Sequence, residues 1–132
     1  MARKITAIRR YRPEIEREPT RQTPEIVEDM CRSTTLSRGV IRNVVAQLQE
    51  ALIDNFHQGR AVKFEGLGTF TPTIRMDGSL DVLFRPEPEM LSKLDDPTRF
   101  NAKILNKASI GKSADDLVAR WNAEHPEDPV EE

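Results

Sequence analysis

The chain has 132 residues, of which 37% are hydrophobic and 32% are charged, so one domain with extensions is the simplest interpretation. No apolar run approaches the roughly 20 residues that cross a bilayer, and the basic N-terminus lacks the apolar segment of a secretory signal. The single cysteine, Cys31, excludes an internal disulfide and favours a reducing compartment. Together these features predict a soluble cytoplasmic protein.

The net charge of −2 is unevenly distributed along the chain. Residues 1–22 carry seven Arg or Lys against three Glu, whereas residues 95–132 carry five basic against nine acidic side chains. A basic leader suits contact with nucleic acid, although solvated surface charge explains it equally well. The segment "KITAIRRYR" within this leader is interpreted as a strand or a disordered arm.

Two helices are predicted next. In "TPEIVEDMCRS", Thr23 suits the N-cap and Pro24 the first helical position, which predicts a short helix over about 24–33. A longer helix over 38–57 follows, with Ser37 as its cap and Gly59 as its terminator. Its apolar residues recur at helical spacing: Ile41, Val44, Val45, Leu48, Leu52 and Phe56. This apolar surface is too broad for one subunit to cover, so the pattern predicts a second subunit.

After Gly59 the apolar pattern changes to a period of two, which predicts strands at 61–64, 69–75 and 79–85. Asp77-Gly78 predicts a tight turn between the last two strands. Pro72 cannot donate a hydrogen bond to a neighbouring strand, so its strand is expected to be an edge or to carry a bulge. A short helix is predicted over about 87–94.

Beyond residue 95, the alternating segment "FNAKILN" predicts one more strand. Ser113 and Asp116 form a capping-box pattern before a helix whose apolar residues Leu117, Val118 and Trp121 pack against the rest of the protein. Pro126 ends this helix. The last segment, 127–132, is predicted to be disordered.

The candidate catalytic and phosphate motifs fit turns and caps better than active sites. Gly66-Leu67-Gly68 lacks the third glycine and the following helix of a dinucleotide fingerprint, so it is interpreted as a turn. "IGKS" at 110–113 lacks the earlier glycine of a P-loop, because Asn106 occupies that position. His57, His125 and Cys31 lack metal-ligand spacing. The sequence therefore predicts no enzyme, no cofactor and no metal.

The order of elements, with the segment 35–70 and "FRPEPEMLSKL" at 84–94, resembles the bacterial histone-like HU and integration host factor family. The specific match is Gly66-Leu67-Gly68-Thr69-Phe70 after a capped long helix and a strand. The resemblance implies an HU/IHF-like α+β fold of two N-terminal helices, a small antiparallel sheet and a short terminal helix, in an intertwined homodimer. It divides the chain into a basic N-terminal extension (1–22), an HU-like domain (23–94) and a C-terminal extension (95–132). The dimer interface is predicted to contain the apolar residues of the long helix, Ile41, Val44, Val45, Leu48, Leu52 and Phe56, together with Phe70.

The family binds duplex DNA with little sequence preference, through two long β-ribbon arms whose proline tips wedge between base pairs. Here the segment between Phe70 and Phe84 is too short for such an arm, so DNA binding is expected to depend on phosphate contacts. The candidate DNA-binding residues are Lys63, Arg75, Arg85, Lys93, Arg9, Arg10 and Arg12.

The sequence thus predicts a non-specific, HU-like, nucleoid-associated protein that binds duplex DNA weakly as a homodimer, with no membrane and no small-molecule substrate. The alternative is a structural or protein-interaction module that keeps the HU fold and has lost DNA binding. The shortened arm and the isoelectric point near 5.8 favour this alternative, whereas the basic leader and the family resemblance favour DNA.

Overall fold

The computed structural model describes residues 1–131, which form two compact units. The central unit is Pro19–Phe100, and the terminal unit combines Met1–Glu18 with the described residues from Asn101 onward. No helix among the described residues is both long enough and apolar enough to cross a membrane. The predicted α+β class is confirmed.

The elements of the central unit are the helices α2 (Thr23–Ser33), α3 (Arg38–His57) and α4 (Pro88–Leu94), and the strands β2 (Val62–Phe64), β3 (Gly68–Ile74) and β4 (Leu80–Pro86). Those of the terminal unit are α1 (Lys4–Tyr11), β1 (Glu14–Ile15), β5 (Ile104–Leu105), a 3₁₀ turn (Lys107–Ser109) and α5 (Ala114–Glu124).

Local capping sets the ends of the helices in the central unit. The Gln22 amide donates to Glu25 Oε2 (2.9 Å), so Gln22 rather than Thr23 is the N-cap of α2. The predicted cap of α3 is confirmed, because Ser37 Oγ accepts from the Val40 amide (3.3 Å). Gly59 follows the end of α3 with a positive φ of 74°, as predicted for a helix terminator.

The two glycines of "EGLGTF" connect β2 to β3. Gly66 has φ +81°, which favours glycine. Gly68 begins β3, where an added Cβ would lie 2.4 Å from the carbonyl oxygen of Arg85 and 2.6 Å from Cε2 of Phe84. The turn interpretation is therefore confirmed: one glycine supplies the turn conformation and the other lets β4 approach closely.

β3 is the middle strand of an antiparallel three-stranded sheet. It pairs with β2 only from Val62 opposite Phe70 to Phe64 opposite Gly68, whereas its pairing with β4 runs over all seven residues. Pro72 belongs to the middle strand, but it lies beyond the end of β2 and has a paired strand on one side only, so the predicted edge environment holds locally, while the unbroken β3–β4 pairing shows no bulge. It is tolerated because β2 ends before it, which leaves β4 as its only neighbouring strand.

Successive side chains of a strand point to opposite faces, so the register assigns every residue of this sheet to a face. The even-numbered positions form an apolar face, which consists of Val62, Phe64, Gly68, Phe70, Pro72, Ile74, Leu80, Val82, Phe84 and Pro86. Phe70 contacts Phe84 at a ring-centroid distance of 4.8 Å and Phe64 at 6.1 Å. The C-terminal end of α3 lies on this face, where Ile53 and Phe56 line a cavity with Pro72, Leu80 and Val82.

The segment "KITAIRRYR" of the basic leader is helical over Lys4–Tyr11, so the prediction of a strand or a disordered arm for it is wrong. α1 buries Ala7 and Tyr11, which lie one helical turn apart, and packs against α5. Trp121 meets the Tyr11 ring edge-on at 6.3 Å, and the Arg120 guanidinium lies 4.3 Å from the centre of the same ring. Ile5 and Ala7 alternate with polar residues as in a strand, so the local pattern does not indicate a helix. The helix is selected by packing against α5, about 100 residues later.

The prediction of disorder over 127–132 is wrong for its described part. Trp121 Nε1 donates to the Asp128 carbonyl (2.7 Å), and the Val130 amide donates to Asn122 Oδ1 (2.7 Å). The α-amino group of Met1 also pairs with the Asp128 carboxylate (3.1 Å). The two ends of the chain thus hold each other within the terminal unit. Glu132 lies outside the described residues.

The strand predicted for "FNAKILN" is much shorter in the structure. It is limited to β5, which pairs antiparallel with β1 as Glu14 opposite Leu105 and Ile15 opposite Ile104. Asn106, in the left-handed conformation at φ 55°, directs its amide to the carbonyls of Arg10 (2.9 Å) and Arg12 (3.0 Å). The helix at α5 begins as predicted, with Ser113 Oγ accepting from the Asp116 amide (3.1 Å).

Candidate nucleic-acid interface

The odd-numbered positions of the central sheet form a polar face, opposite the face that α3 contacts. Lys63, Thr69 and Arg85 lie directly opposite one another on three adjacent strands, so they form one row across the sheet. Thr71 and Thr73 continue this face toward the turn, opposite Leu83 and Asp81. Cationic side chains beside hydroxyl groups are the side chains with which proteins contact phosphate oxygens.

Carboxylates accompany two of the cations on the polar face. Lys63 Nζ lies 3.4 Å from Oε1 of Glu87, whose side chain is mostly buried. Arg75, which follows β3, places Nη2 2.6 Å from Asp81 Oδ2, and this contact holds the pKa of Asp81 below its usual value. Arg85 is exposed and pairs with no carboxylate within residues 1–131. Arg85 is therefore the cation of this face that is most available to a phosphate.

The β3–β4 hairpin is short. Beyond the end of β2 it contains four residue pairs, from Thr71 opposite Leu83 to Ile74 opposite Leu80. At about 3.4 Å per residue this is an extension of roughly 14 Å. Such a hairpin cannot follow a DNA groove as a long arm does, which agrees with the expectation from the sequence.

The tip of the hairpin is acidic. Arg75 and Ser79 close the turn through a backbone hydrogen bond of 2.8 Å, and Gly78 supplies φ 87°. The Asp77 carboxylate accepts from the hydroxyl and the amide of Ser79, which lowers its pKa. Met76 is fully exposed beside it. The tip thus offers one apolar side chain, but next to a carboxylate that repels phosphates.

The seven candidate DNA-binding residues are divided between the two units. Lys63, Arg75 and Arg85 lie on or beside the polar face, whereas Lys93 lies on α4 and pairs with Glu89 (2.9 Å). The other three belong to the terminal unit: Arg9, Arg10 and Arg12. Arg12 Nη2 lies 3.7 Å from Glu14 Oε1, and Arg9 and Arg10 have no ion-pair partner in the described part of the chain.

The residues predicted for the dimer interface differ in exposure. Ile41 is 2% exposed and thus covered within its own protomer. Val44, Val45 and Leu48 are 57%, 45% and 38% exposed, while Leu52, Phe56 and Phe70 are half-buried. The buried apolar side chains of the central unit are those of Val27 and Ile41, so the core of this unit within one protomer is small. A helix as apolar as α3 with its stripe open to solvent is unusual for an isolated protomer.

Other polar groups have structural surroundings. His125 stacks on Trp121 at 3.9 Å, with Nδ1 3.2 Å from the Trp121 carbonyl oxygen, as expected for a histidine at a helix end. Gly111 of "IGKS" has φ 83° in the turn before α5. No three His, Cys, Asp or Glu side chains among residues 1–131 are grouped as metal ligands.

Sequence reasoning missed the two carboxylates of the polar face, Asp81 and Glu87. The period-two pattern contains a signal for Asp81: it lies four residues before Arg85 in the same strand, and residues an even number apart in a strand share one face. Glu87 lies beyond β4, and its contact with Lys63 depends on the alignment of two strands that only the fold defines.

A long capped helix behind a three-stranded sheet, with a Gly-x-Gly turn and a polar outer face, defines an HU-like α+β protein. Comparison with protein families agrees: residues 6–102 match the family described as "HU domain fused to wHTH, Ig, or Glycine-rich motif". Because this match covers more than half of the 132 residues, the chain belongs to that HU-like family. The matched range begins within α1, includes β1 and so exceeds the segment 23–94 on which the resemblance was based. No curated protein matches the chain.

Proposed function

We propose that this protein binds duplex DNA without sequence preference, as an architectural, nucleoid-associated member of the HU-like family. The observation that carries the proposal is the polar face of the central sheet, where Lys63, Thr69 and Arg85 lie in one row. The HU domain itself suggests a role in DNA binding. The polar face is the side of the sheet that α3 leaves open, so it is accessible to a large ligand.

Binding is proposed to be electrostatic and weak. The short hairpin and its acidic tip do not favour insertion between base pairs, so affinity must come from phosphate contacts. Such contacts carry no sequence information, and each one releases counterions from the duplex. Dissociation constants of about 10⁻⁴–10⁻⁶ M near physiological salt are typical of this kind of binding.

We propose that the functional species is a homodimer in which the open apolar stripe of α3 and the apolar face of the sheet are covered by a second copy. Val44, Val45 and Leu48 leave a large apolar area in contact with water in one protomer. At the outer end of the sheet, Ile74 and Leu80 are 70% and 75% exposed. Covering this area supplies a hydrophobic driving force of about 25 cal/mol per Å².

We further propose that the protein is not an enzyme and acts in the cytoplasm, on the nucleoid. The support is that its two glycine motifs are accounted for by turns: Gly66 and Gly68 join two strands, and Gly111 precedes the cap of α5. Neither turn needs a bound nucleotide to explain its conformation.

A specific observation favours a second candidate, a protein-interaction module on the HU fold. Two of the three cations of the polar face are paired with carboxylates, Lys63 with Glu87 and Arg75 with Asp81. The same face therefore has little net positive charge, and a protein partner could use it instead of DNA.

The test is a titration of a labelled mixed-sequence duplex with the full chain at low and at physiological salt, followed by fluorescence anisotropy. Arg85→Ala should weaken binding equally on every duplex and reduce the salt slope by at least about 0.9, because one phosphate contact is lost per protomer. Arg42→Ala is the matched control, since Arg42 is exposed on α3, away from the polar face. Arg9, Arg10 and Arg12, replaced together by Ala, test the terminal unit in the same way. Absence of binding at low salt would decide for the interaction module.

A further inference from the structure

We propose that Asp81 and Glu87 are affinity-determining residues of the polar face: each holds a cation that a DNA phosphate must take over. The inference rests on the proposed DNA binding and deepens it. It predicts a gain of affinity on removing an acid, a direction that the family membership alone does not give.

The geometry supplies the first step of the argument. The Asp81 carboxylate, opposite Thr73 on the same face, lies 2.6 Å from Arg75 Nη2. Oε1 of Glu87 lies 3.4 Å from Lys63 Nζ, at the other end of the sheet. The two pairs therefore lie at opposite ends of the polar face, with Arg85 as the cation left without a described partner.

The second step concerns how firmly the carboxylates are held. The Asp81 carboxylate also accepts from the Val82 amide (2.8 Å), and the Glu87 amide donates to the Leu67 carbonyl (2.9 Å). The first contact holds the Asp81 carboxylate itself, whereas the second holds the Glu87 backbone, from which a mostly buried side chain reaches Lys63. An approaching phosphate thus meets a cation and a fixed anion together, and the anion repels it.

The third step gives the size of the effect. Each phosphate contact contributes about 0.9 to the slope of log K against log salt, which is about an eightfold gain in affinity at 0.1 M salt. A cation that must leave a carboxylate in order to contact a phosphate gains only part of this affinity, because the ion pair is lost and the carboxylate stays nearby. Asp81→Asn and Glu87→Gln should each recover it, with a tighter dissociation constant and a steeper salt slope.

The experiment compares Asp81→Asn, Glu87→Gln and the double variant with the wild-type full chain, using the anisotropy titration of a mixed-sequence duplex. Glu50→Gln makes the same change of charge on α3, where Glu50 is exposed and away from the polar face. We expect about three- to eightfold tighter binding for each single variant at 0.1 M salt, with the full phosphate contact as the upper limit, and less than twofold for Glu50→Gln, because distant charges are screened beyond about 10 Å.

A double-mutant cycle tests the pair itself. Arg75→Ala should have little effect beside an intact Asp81 and a large effect in the Asp81→Asn background, where Arg75 is free to contact phosphate. Circular dichroism of each variant verifies that it is folded. Should Asp81→Asn be unfolded, the Lys63 and Glu87 pair provides the same cycle with Lys63→Ala.

The outcomes separate this inference from the proposed function. Wild-type binding that Asp81→Asn and Glu87→Gln change no more than Glu50→Gln does would overturn the inference and leave DNA binding in place. Binding by the variants but not by the wild type would support the inference and refute DNA binding by the native chain. If no form binds at low salt, both proposals are wrong.

Discussion

Gly68 offers the sharpest test of how this sequence specifies its sheet. Replacing it with alanine would place Cβ 2.4 Å from the carbonyl oxygen of Arg85 and 2.6 Å from the ring of Phe84. The ring can rotate away, but the carbonyl belongs to the β3–β4 ladder, where Thr69 pairs with Arg85. The added methyl group therefore has to separate the two strands at the first residues of their pairing.

The expected loss can be ranked against two other glycines. Overpacking costs typically 1–3 kcal/mol, and a clash with backbone places Gly68→Ala at about 3 kcal/mol or more. Gly66→Ala meets no close neighbour but retains φ +81°, which costs an L-residue about 1–2 kcal/mol. Gly39→Ala, within α3 and with no atom inside 4 Å, should stabilise by about 0.5–1 kcal/mol.

The assay is urea unfolding followed by circular dichroism. The only tryptophan, Trp121, belongs to the terminal unit, so its fluorescence reports on that unit and provides an internal reference. From highest to lowest free energy of unfolding, the predicted order is Gly39→Ala, wild type, Gly66→Ala and Gly68→Ala. A Gly68→Ala protein as stable as wild type would show that the close approach of β4 does not require glycine.

Four further outcomes follow from the structure. The wild type should sediment as a dimer at micromolar concentration, and Leu48→Asp should dissociate or unfold it because a carboxylate would enter the apolar interface; a folded wild-type monomer would refute this. Deleting 127–132 should lower the stability of the terminal unit, seen by Trp121 fluorescence, because the hydrogen bond to the Asp128 carbonyl is lost; an unchanged unfolding midpoint would contradict it. Hydrogen bonds from Tyr11 and Arg120 lower the pKa of Glu124, so its contribution is present above the unfolded-state value of about 4.3 and lost as the pH falls; Glu124→Gln should remove this acid sensitivity. A labelled duplex should bend little, equally for wild type and Met76→Ala, and a sharp bend lost in Met76→Ala would show that the hairpin tip does insert.

Where local chemistry decides the structure, the sequence was sufficient. Ser37 and Gly59 predict the limits of α3, because a cap and a left-handed terminator act within a few residues. The Asp77-Gly78 turn and the two glycines of the β2–β3 connection are predictable for the same reason. These residues restrict their own backbone, whatever the rest of the chain does.

Where distant segments decide it, the sequence was not sufficient. α1 is helical because Ala7 and Tyr11 pack against α5, and the acidic end is ordered because Trp121 and Asn122 bind its backbone. Neither contact leaves a local pattern. The candidate site shows the same limit: period-two parity places Lys63 and Arg85 on one face, but only strand alignment brings Glu87 to Lys63.

The two faces of the central sheet connect assembly to DNA binding in a measurable way. If the apolar faces are covered in a homodimer, each dimer carries two polar faces and two copies of Arg85. A duplex that contacts both faces loses two phosphate contacts in Arg85→Ala, which reduces the salt slope by about 1.8, whereas a duplex that contacts one face loses about 0.9. The measured change, taken per dimer of known concentration, therefore distinguishes one sheet that binds DNA from a pair of sheets that bind it together. A change near zero, with Arg42→Ala equally silent, would mean that phosphates do not contact this face at all.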